Sequence, residues 1–312
     1  MLHESRPNIL NGLYLGSRNA IYNGVEDTPQ LAKQGNTRLM VAWNDSAFYG
    51  QLRTATSVNG IDWESPQAVT AAIAADNAHS SPGLAHDEST GVTYLAWASK
   101  RRQLHVAQSA SPTLDSEAWS KKQCRKLPKN LKVRGGISLA FVKPYLIVAW
   151  QGRDWHMYVT SSTDGGANWS DEVRLEEAYL SSKPTLHVSS EGALVLGMTM
   201  RDHTVIKRIC EDLSNLTFGP SERVAIPYAA HESAAAAFDG TGVEWWACRD
   251  KEKNLVATAV FDGNLRSEQW RYHTSKSGPS LCHFKDRVVI AWAGPSYKEK
   301  KLSVWVAAVE TR

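Results

Sequence analysis

The 312-residue chain has no run of eighteen apolar residues, so no transmembrane helix and no membrane insertion are expected. Its first residues, MLHESRPNILNG, hold no apolar stretch of signal-peptide length. The expectation is a soluble protein, cytoplasmic or exported without a Sec signal. Cysteine is scarce: Cys124, Cys210, Cys248 and Cys282 stand far apart, without C-x-x-C spacing or a histidine at ligand distance. That excludes a zinc knuckle and a redox pair, and leaves reduced core thiols. The ten histidines are isolated and Gly-rich phosphate loops are missing, so no metal and no cofactor is expected. A strong excess of one charge is also missing. The net charge of +3 falls short of the clustered positive charge of a nucleic-acid binder, and no nucleic-acid partner is expected. The one dense basic run, Lys121, Lys122, Arg125, Lys126, Lys129 and Lys132, reads as a solvated edge that blocks unwanted strand pairing. Helical periodicity is nearly absent.

What is present is a repeat. Apolar runs ending in an aromatic residue or Met recur at Trp43, Trp97, Trp150, Met198, Trp246 and Trp292, with spacings of 54, 53, 48, 48 and 46. Some 11 to 13 residues before each lies a second element, centred on Leu31, Leu84, Leu139, Leu186, Ala235 and Leu281. A short alternating segment follows each run (QLRTATS, QLHVAQS and HMYVTSS in the first three units), with the period of two that suits a strand. A fourth anchor, Trp63, Trp119, Trp169, Phe218 or Trp270, comes 19 to 24 residues after the second-strand residue of the first five units.

Six units of four short strands predict an all-β fold, a six-bladed β-propeller with four-stranded antiparallel blades. The 312 residues read as one domain, in units of about 26–76, 79–132, 134–180, 182–228, 231–276 and 278–312. The last unit ends after its third strand, so the N-terminal stretch up to Asn23 is expected to complete it, removing an open sheet edge.

Between the third and fourth strands of unit three stands Ser162-Thr163-Asp164-Gly165-Gly166-Ala167-Asn168-Trp169, and unit one carries a shortened version, Ser57-Val58-Asn59-Gly60-Ile61-Asp62-Trp63. The first resembles the S-x-D-x-G-x-x-W Asp box of sialidases and related BNR-repeat propellers. Its Asp is suited to accept backbone N–H groups, its Gly supplies positive φ, and its Trp packs between blades. The box is thus read as structural. The resemblance extends over the whole chain as a repeat pattern, and it implies a sialidase-like propeller.

Strands that run up and down place the boxes at one end of the axis, with the turns between strands two and three and the approaches to strand one at the other. The second end is where propellers of this type bind ligands. There the sequence places Arg153-Asp154, Arg201-Asp202 and Arg249-Asp250, read as equivalent positions of units three, four and five. From the approaches come Asp27-Thr28, His79-Ser80-Ser81, Arg134-Gly135-Gly136, Ser181-Ser182-Lys183, His231-Glu232-Ser233 and Ser277-Gly278. A guanidinium fork suits a carboxylate or phosphate, and polar groups with an aromatic face suit a sugar. The Arg-Asp pairs are equally readable as cross-links between blades.

By resemblance, a sialidase of this fold would need three arginines, an acidic Asp, and a Tyr nucleophile assisted by a Glu. His231-Glu232-Ser233 followed by Asp239-Gly240 and Arg249 looks like the stretch that supplies the Glu and one Arg, and Arg201 is a candidate for another. The N-terminal R-I-P motif is absent, and no catalytic Asp is identifiable. The sequence therefore favours a non-catalytic, lectin-like propeller that binds a glycan, acidic glycans included, through Arg153, Asp154, Arg201, Asp202, Arg249, Asp250, His231 and Glu232. The alternatives are a sialidase-like hydrolase, an exo-glycosidase using Glu232 and Tyr297, and a protein-binding scaffold.

Overall fold

The computed structural model describes residues 13–15, 19–25, 27–45, 50–69, 78, 80–115, 118–125, 132–178, 182–261, 264–295 and 302–311. Short apolar segments bounded by polar turns pair antiparallel with their sequence neighbours, giving six sheets of four or five strands. Blade one is Gln30–Gln34, Arg38–Asp45, Gln51–Ser57 and Gln67–Ala68. Blade six, Ser280–Phe284, Arg287–Pro295 and Leu302–Thr311, is completed by the N-terminal strands Leu13–Leu15 and Asn19–Asn23. Each innermost strand touches the innermost strands of both neighbouring blades, and that of blade six touches that of blade one. The sheets close into a ring, and the all-β six-bladed propeller read from the repeat is what the chain forms. No helix among the described residues is long and apolar enough to cross a membrane.

The core is divided into six apolar clusters, each between the facing sheets of adjacent blades. Trp43, Trp97, Trp150 and Trp292 are all but completely buried. An indole that removes roughly 200 Å² from water contributes about 5 kcal/mol at about 25 cal/mol per Å². Trp63, Trp119, Trp169, Phe218 and Trp270 also pack into these clusters. They do so from different settings: Trp119 opens an outer strand, Trp270 lies within one, and Trp63 and Trp169 sit in the turns before theirs. Hydrogen bonds near the axis join blade to blade. Leu31 N–H donates to Ser280 Oγ at 3.0 Å, Leu186 N–H to Ser138 Oγ at 2.8 Å, and Ala234 N–H to Thr199 Oγ1 at 3.1 Å.

In the Ser162–Trp169 turn, Asp164 accepts from Asn168 N–H at 2.8 Å, from Asn168 Nδ2 at 2.7 Å and from Ser162 O–H at 2.8 Å. These donors hold its carboxyl down at about 2. Asp164→Ala is expected to cost about 1 kcal/mol, the net worth of such bonds at an exposed site. Because the folded carboxyl is the stronger acid, its contribution is present above the unfolded carboxyl range and declines as pH falls toward 2. Urea unfolding of both proteins at pH 7 and in that acid window should show the difference shrinking.

Blade five departs from the repeat as read from sequence. The turn after its second strand is closed by Asp250 N–H to Asn254 O (3.0 Å) and Lys253 N–H to Asp250 O (3.1 Å). The same two bonds start from Gly152 in blade three and Met200 in blade four. Asp250 thus matches Gly152 and Met200, and Cys248, not Trp246, takes the place of Trp150 and Met198. Arg249 and Asp250 are therefore not equivalent to Arg153-Asp154 and Arg201-Asp202; Arg249 matches Gln151 and Thr199, one residue before the turn. The tandem Trp245 and Trp246 fill both faces of this strand, and the alanines of the strand Ala235–Phe238 fit either register, so apolar pattern could not reveal the slip.

Candidate functional site

Continuing the inner-strand registers by one residue sets Pro29, Pro82, Ile137, Pro184, Ala234 and Pro279 at one level around the axis. Asp27, Ser80, Gly135, Ser182, Glu232 and Ser277 lie two residues earlier, at the mouth of the axis on the end opposite the Ser162–Trp169 turn. Lys183 lies one residue deeper. Its stem runs across Gly136, where a methyl group would stand 2.6 Å from Lys183 Cδ and 3.0 Å from Ser81 Cβ. Only 7% of Lys183 is exposed, and its Nζ has no hydrogen-bond partner among the described residues. Burial pushes this amine down to about 7, with the charge of Asp27 acting in the opposite direction. Asp27 itself is held by Thr28 N–H at 2.7 Å and Ser81 N–H at 3.3 Å.

Glu232 meets Arg249 at 3.3 Å, and Arg249 also donates to the carbonyl of Lys276 at 2.9 Å. Burial raises the Glu232 carboxyl, Arg249 opposes that rise, and Asp27 adds to it. Two carboxylates, a guanidinium and a buried amine from blades one, four and five thus converge on the mouth. Of the other buried polar atoms there, Ser80 Oγ, Ser182 Oγ, Ser277 Oγ and Arg249 Nε lack a partner among the described residues, as Lys183 Nζ does. Below the mouth is a polar cavity of about 50 Å³ that includes Lys183, Ser138, Ser233 and Ser280 in its wall.

The remaining residues picked out by sequence are placed as follows. Arg153 and Arg201 are exposed on the outer turns. Asp154 accepts from Tyr158 O–H at 2.6 Å and His156 N–H at 3.3 Å, and Asp202 from the Thr204 hydroxyl at 2.7 Å and N–H at 3.0 Å. Asp250 is buried, accepting from Asn254 N–H at 2.8 Å and from the Gln269 amide. The three aspartates therefore shape their own turns and do not pair with the adjoining arginines across blades. His231 stacks on His203 with ring centroids 3.9 Å apart, and burial, His203 and Arg249 all hold its imidazole neutral to lower pH. Tyr297 and His79 lie outside the described residues.

Asp27 and Lys183 carried no distinguishing sequence signal. Each is one charged residue in a polar approach, and only ring closure sets them together. Also unforeseen was a cavity of about 540 Å³ at the other end of the axis, among Leu84, Phe141, His187, Phe238 and His283. Leu84, Leu139, Leu186, Ala236 and Leu281 floor both cavities and form an apolar septum between them. The lower cavity is the larger, but the mixture of charges, and the buried polar atoms left without partners among the described residues, are at the upper mouth.

No family profile matches the chain, and no curated protein matches it in sequence. Solved structures do match. A protein of unknown function from Dyadobacter fermentans aligns over 97% of this chain and 100% of its own, at 14% identity and a TM-score of 0.67. The Hadza microbial sialidase Hz136 aligns over 90% of this chain at 13% identity and a TM-score of 0.64, with 65% of its own length spanned. The SapL1 lectin, solved with α-methyl fucoside, aligns over 91% of this chain and 96% of its own, at 11% identity and a TM-score of 0.64. The chain is a six-bladed β-propeller, and it shares its fold with these proteins.

Proposed function

We propose that the chain is a non-catalytic, lectin-like glycan-binding propeller whose upper axial mouth receives a hydroxyl-rich sugar residue. One observation carries this reading: buried polar atoms of Ser80, Ser182, Lys183, Arg249 and Ser277 share the mouth and lack partners among the described residues. Buried polar groups are otherwise almost always paired, so a cluster of partnerless ones suits a ligand that supplies several hydroxyls. Asp27 and Glu232 offer acceptors beside the donors of Lys183 and Arg249, the mixture that a sugar hydroxyl, donor and acceptor at once, can use. A monosaccharide carboxylate at this point would face both acids and only one of the three arginines singled out in sequence. The upper cavity, about 50 Å³, has room for a few waters or a small substituent and not for a pyranose ring, so the sugar ring would rest on the surface. The similarity to a fucoside-bound lectin agrees with this reading.

A second reading rests on Glu232. A carboxyl raised by burial, with the charge of a second carboxylate, Asp27, adding to the rise against Arg249, resembles a glycosidase acid, and it favours a sialidase-like hydrolase as the alternative. The two readings separate in one experiment: titration with methyl α-fucoside and a panel of neutral and sialylated sugars, followed by turnover assays on the matching aryl glycosides. Binding without turnover is expected, and Glu232→Gln and Asp27→Asn should each weaken it at least tenfold, about 1.4 kcal/mol. Turnover abolished by Glu232→Gln would overturn the lectin reading. Absence of both binding and turnover would leave the same face as a protein-binding scaffold.

A further inference from the structure

The junction of blades two and three gathers three guanidinium groups that no ion pair among the described residues neutralises. Arg102 closes the turn after the second strand of blade two with φ of 61°, and its Nη1 donates to the carbonyls of Val133 at 3.2 Å and Arg134 at 3.1 Å. Arg134 is fixed at its backbone by N–H donation to Gln151 O at 2.8 Å, and its guanidinium carbon stands 3.3 Å from the centroid of the Trp155 ring. Arg153 is exposed on the neighbouring turn. Trp155 takes the same turn position as Arg102, with φ of 70°, and is 38% exposed. The nearest carboxylate in sequence, Asp154, is occupied by Tyr158 and His156. Burial first, then the like charges of Arg153 and Arg134, make the Arg102 guanidinium less basic than usual.

We propose that this junction is a distinct oxyanion site, binding the sulfate or carboxylate groups of an acidic polysaccharide through Arg102, Arg134 and Arg153, with Trp155 as the platform for a sugar ring. Like charges held together without a counter-ion gain most from a ligand that brings the missing negative charge, and a guanidinium fork matches an oxyanion in two hydrogen bonds. Bulky side chains seldom hold a left-handed backbone, and an exposed Trp that does so with an Arg over its ring is positioned for contact. A polysaccharide fits better than nucleic acid because the cluster is local and adjoins the axial mouth: Gly135 and Gly136, which carry no side chains of their own, lead from Arg134 to the Lys183 stem. Arg102 acts as a positioning residue as well, since it grips the backbone that presents Arg134.

The inference rests on the reading that this face binds glycans, and the test keeps the two apart. Binding of fluorescent dextran sulfate oligosaccharides, uncharged dextran and a single-stranded oligonucleotide would be measured by polarisation at 50 and 200 mM salt, beside methyl α-fucoside binding at the mouth. The parent protein should bind the sulfated sugar, more weakly as salt rises, and not the uncharged one. Arg134→Ala combined with Arg153→Glu should weaken sulfated-sugar binding at least tenfold, the scale of one to two charge-assisted contacts, while leaving mouth binding unchanged. Arg153→Glu alone, at an exposed position, gives the same direction with little risk to folding. Trp155→Ala should weaken binding at both salt concentrations, since stacking is not screened. Sulfated-sugar binding that survives the double change, or that disappears only with Glu232→Gln, would overturn the proposal. Oligonucleotide binding of equal strength and equal sensitivity would overturn the assignment to a polysaccharide.

Discussion

Replacing Lys183 by Met is expected to stabilise the protein at neutral pH and to remove most of a rise in stability between pH 7 and pH 10.5. The folded amine sits at about 7 because burial disfavours its charge, whereas the unfolded amine titrates near its ordinary value. Between those two pH values the unfolded state holds more protons than the folded state, so unfolding becomes harder as pH rises. Below 7 the ammonium is charged in both states and its desolvation cost is fully present; above 10.5 it is neutral in both and the cost is gone. The gap amounts to up to about 5 kcal/mol at 1.36 kcal/mol per unit. Urea unfolding across pH 6 to 10.5 reads it directly. The excess stability of Lys183→Met should be greatest at pH 6 and shrink through this window, with other titrating groups cancelling in the comparison. An unchanged pH slope in the variant would mean that Lys183 is charged and paired. The same variant should lose sugar binding at the mouth, so stability and function oppose each other at this residue.

Gly278→Ala should produce the largest loss of stability among single-methyl additions near the axis. The added Cβ would fall inside the carbonyl oxygen and hydroxyl of Ser233, and a backbone oxygen cannot swing aside as a side chain can. Nor can the chain before Gly278 retreat: Lys276 N–H is bonded to Ala293 O at 2.8 Å, and Ser275 O–H to Ser277 O at 2.6 Å. Forcing blades five and six apart here is expected to cost about 3 kcal/mol or more, seen as a lower urea midpoint with an unchanged slope. Gly83→Ala should act similarly between blades two and three, where a methyl would stand 2.8 Å from Leu139 Cβ and 2.9 Å from its backbone nitrogen. A loss below 1 kcal/mol for Gly278→Ala would show that the junction is looser than its packing implies.

Most of the architecture was legible in sequence because a blade is a local object. Alternating apolar residues define each strand, and the spacing of Trp43, Trp97 and Trp150 defines the unit. The incomplete sixth unit required an N-terminal partner, which Asn19–Asn23 supplies; Tyr22 reinforces the closure through a 2.7 Å bond from its hydroxyl to Asp45 and a tilted contact with Trp43. Blade five was the exception. Two adjacent tryptophans and a run of alanines satisfy the apolar pattern in more than one register, and only the backbone hydrogen bonds of the turn distinguish them.

The site was legible in part. Glu232 and Arg249 were recognisable from their motif, and the structure brings them together at 3.3 Å. Arg153, Arg201 and the three aspartates were drawn in by a dipeptide that recurs because a polar turn needs an acceptor: Asp154 and Asp202 cap their own turns, and Asp250, at a shifted register, does so in blade five. Asp27, Lys183 and Arg134 were legible only as members of the polar approaches at this end, and Trp155 not at all, since each is one polar or aromatic residue among many.

The sequence by itself determined the number of blades, the strand order within each, and how the ring closes, because these follow from alternation and spacing over tens of residues. Tertiary structure alone decided which side chains meet. Asp27, Lys183 and Glu232 lie far apart along the chain, and they become neighbours only when six independently patterned sheets pack round one axis and turn the approaches to their inner strands toward a common point.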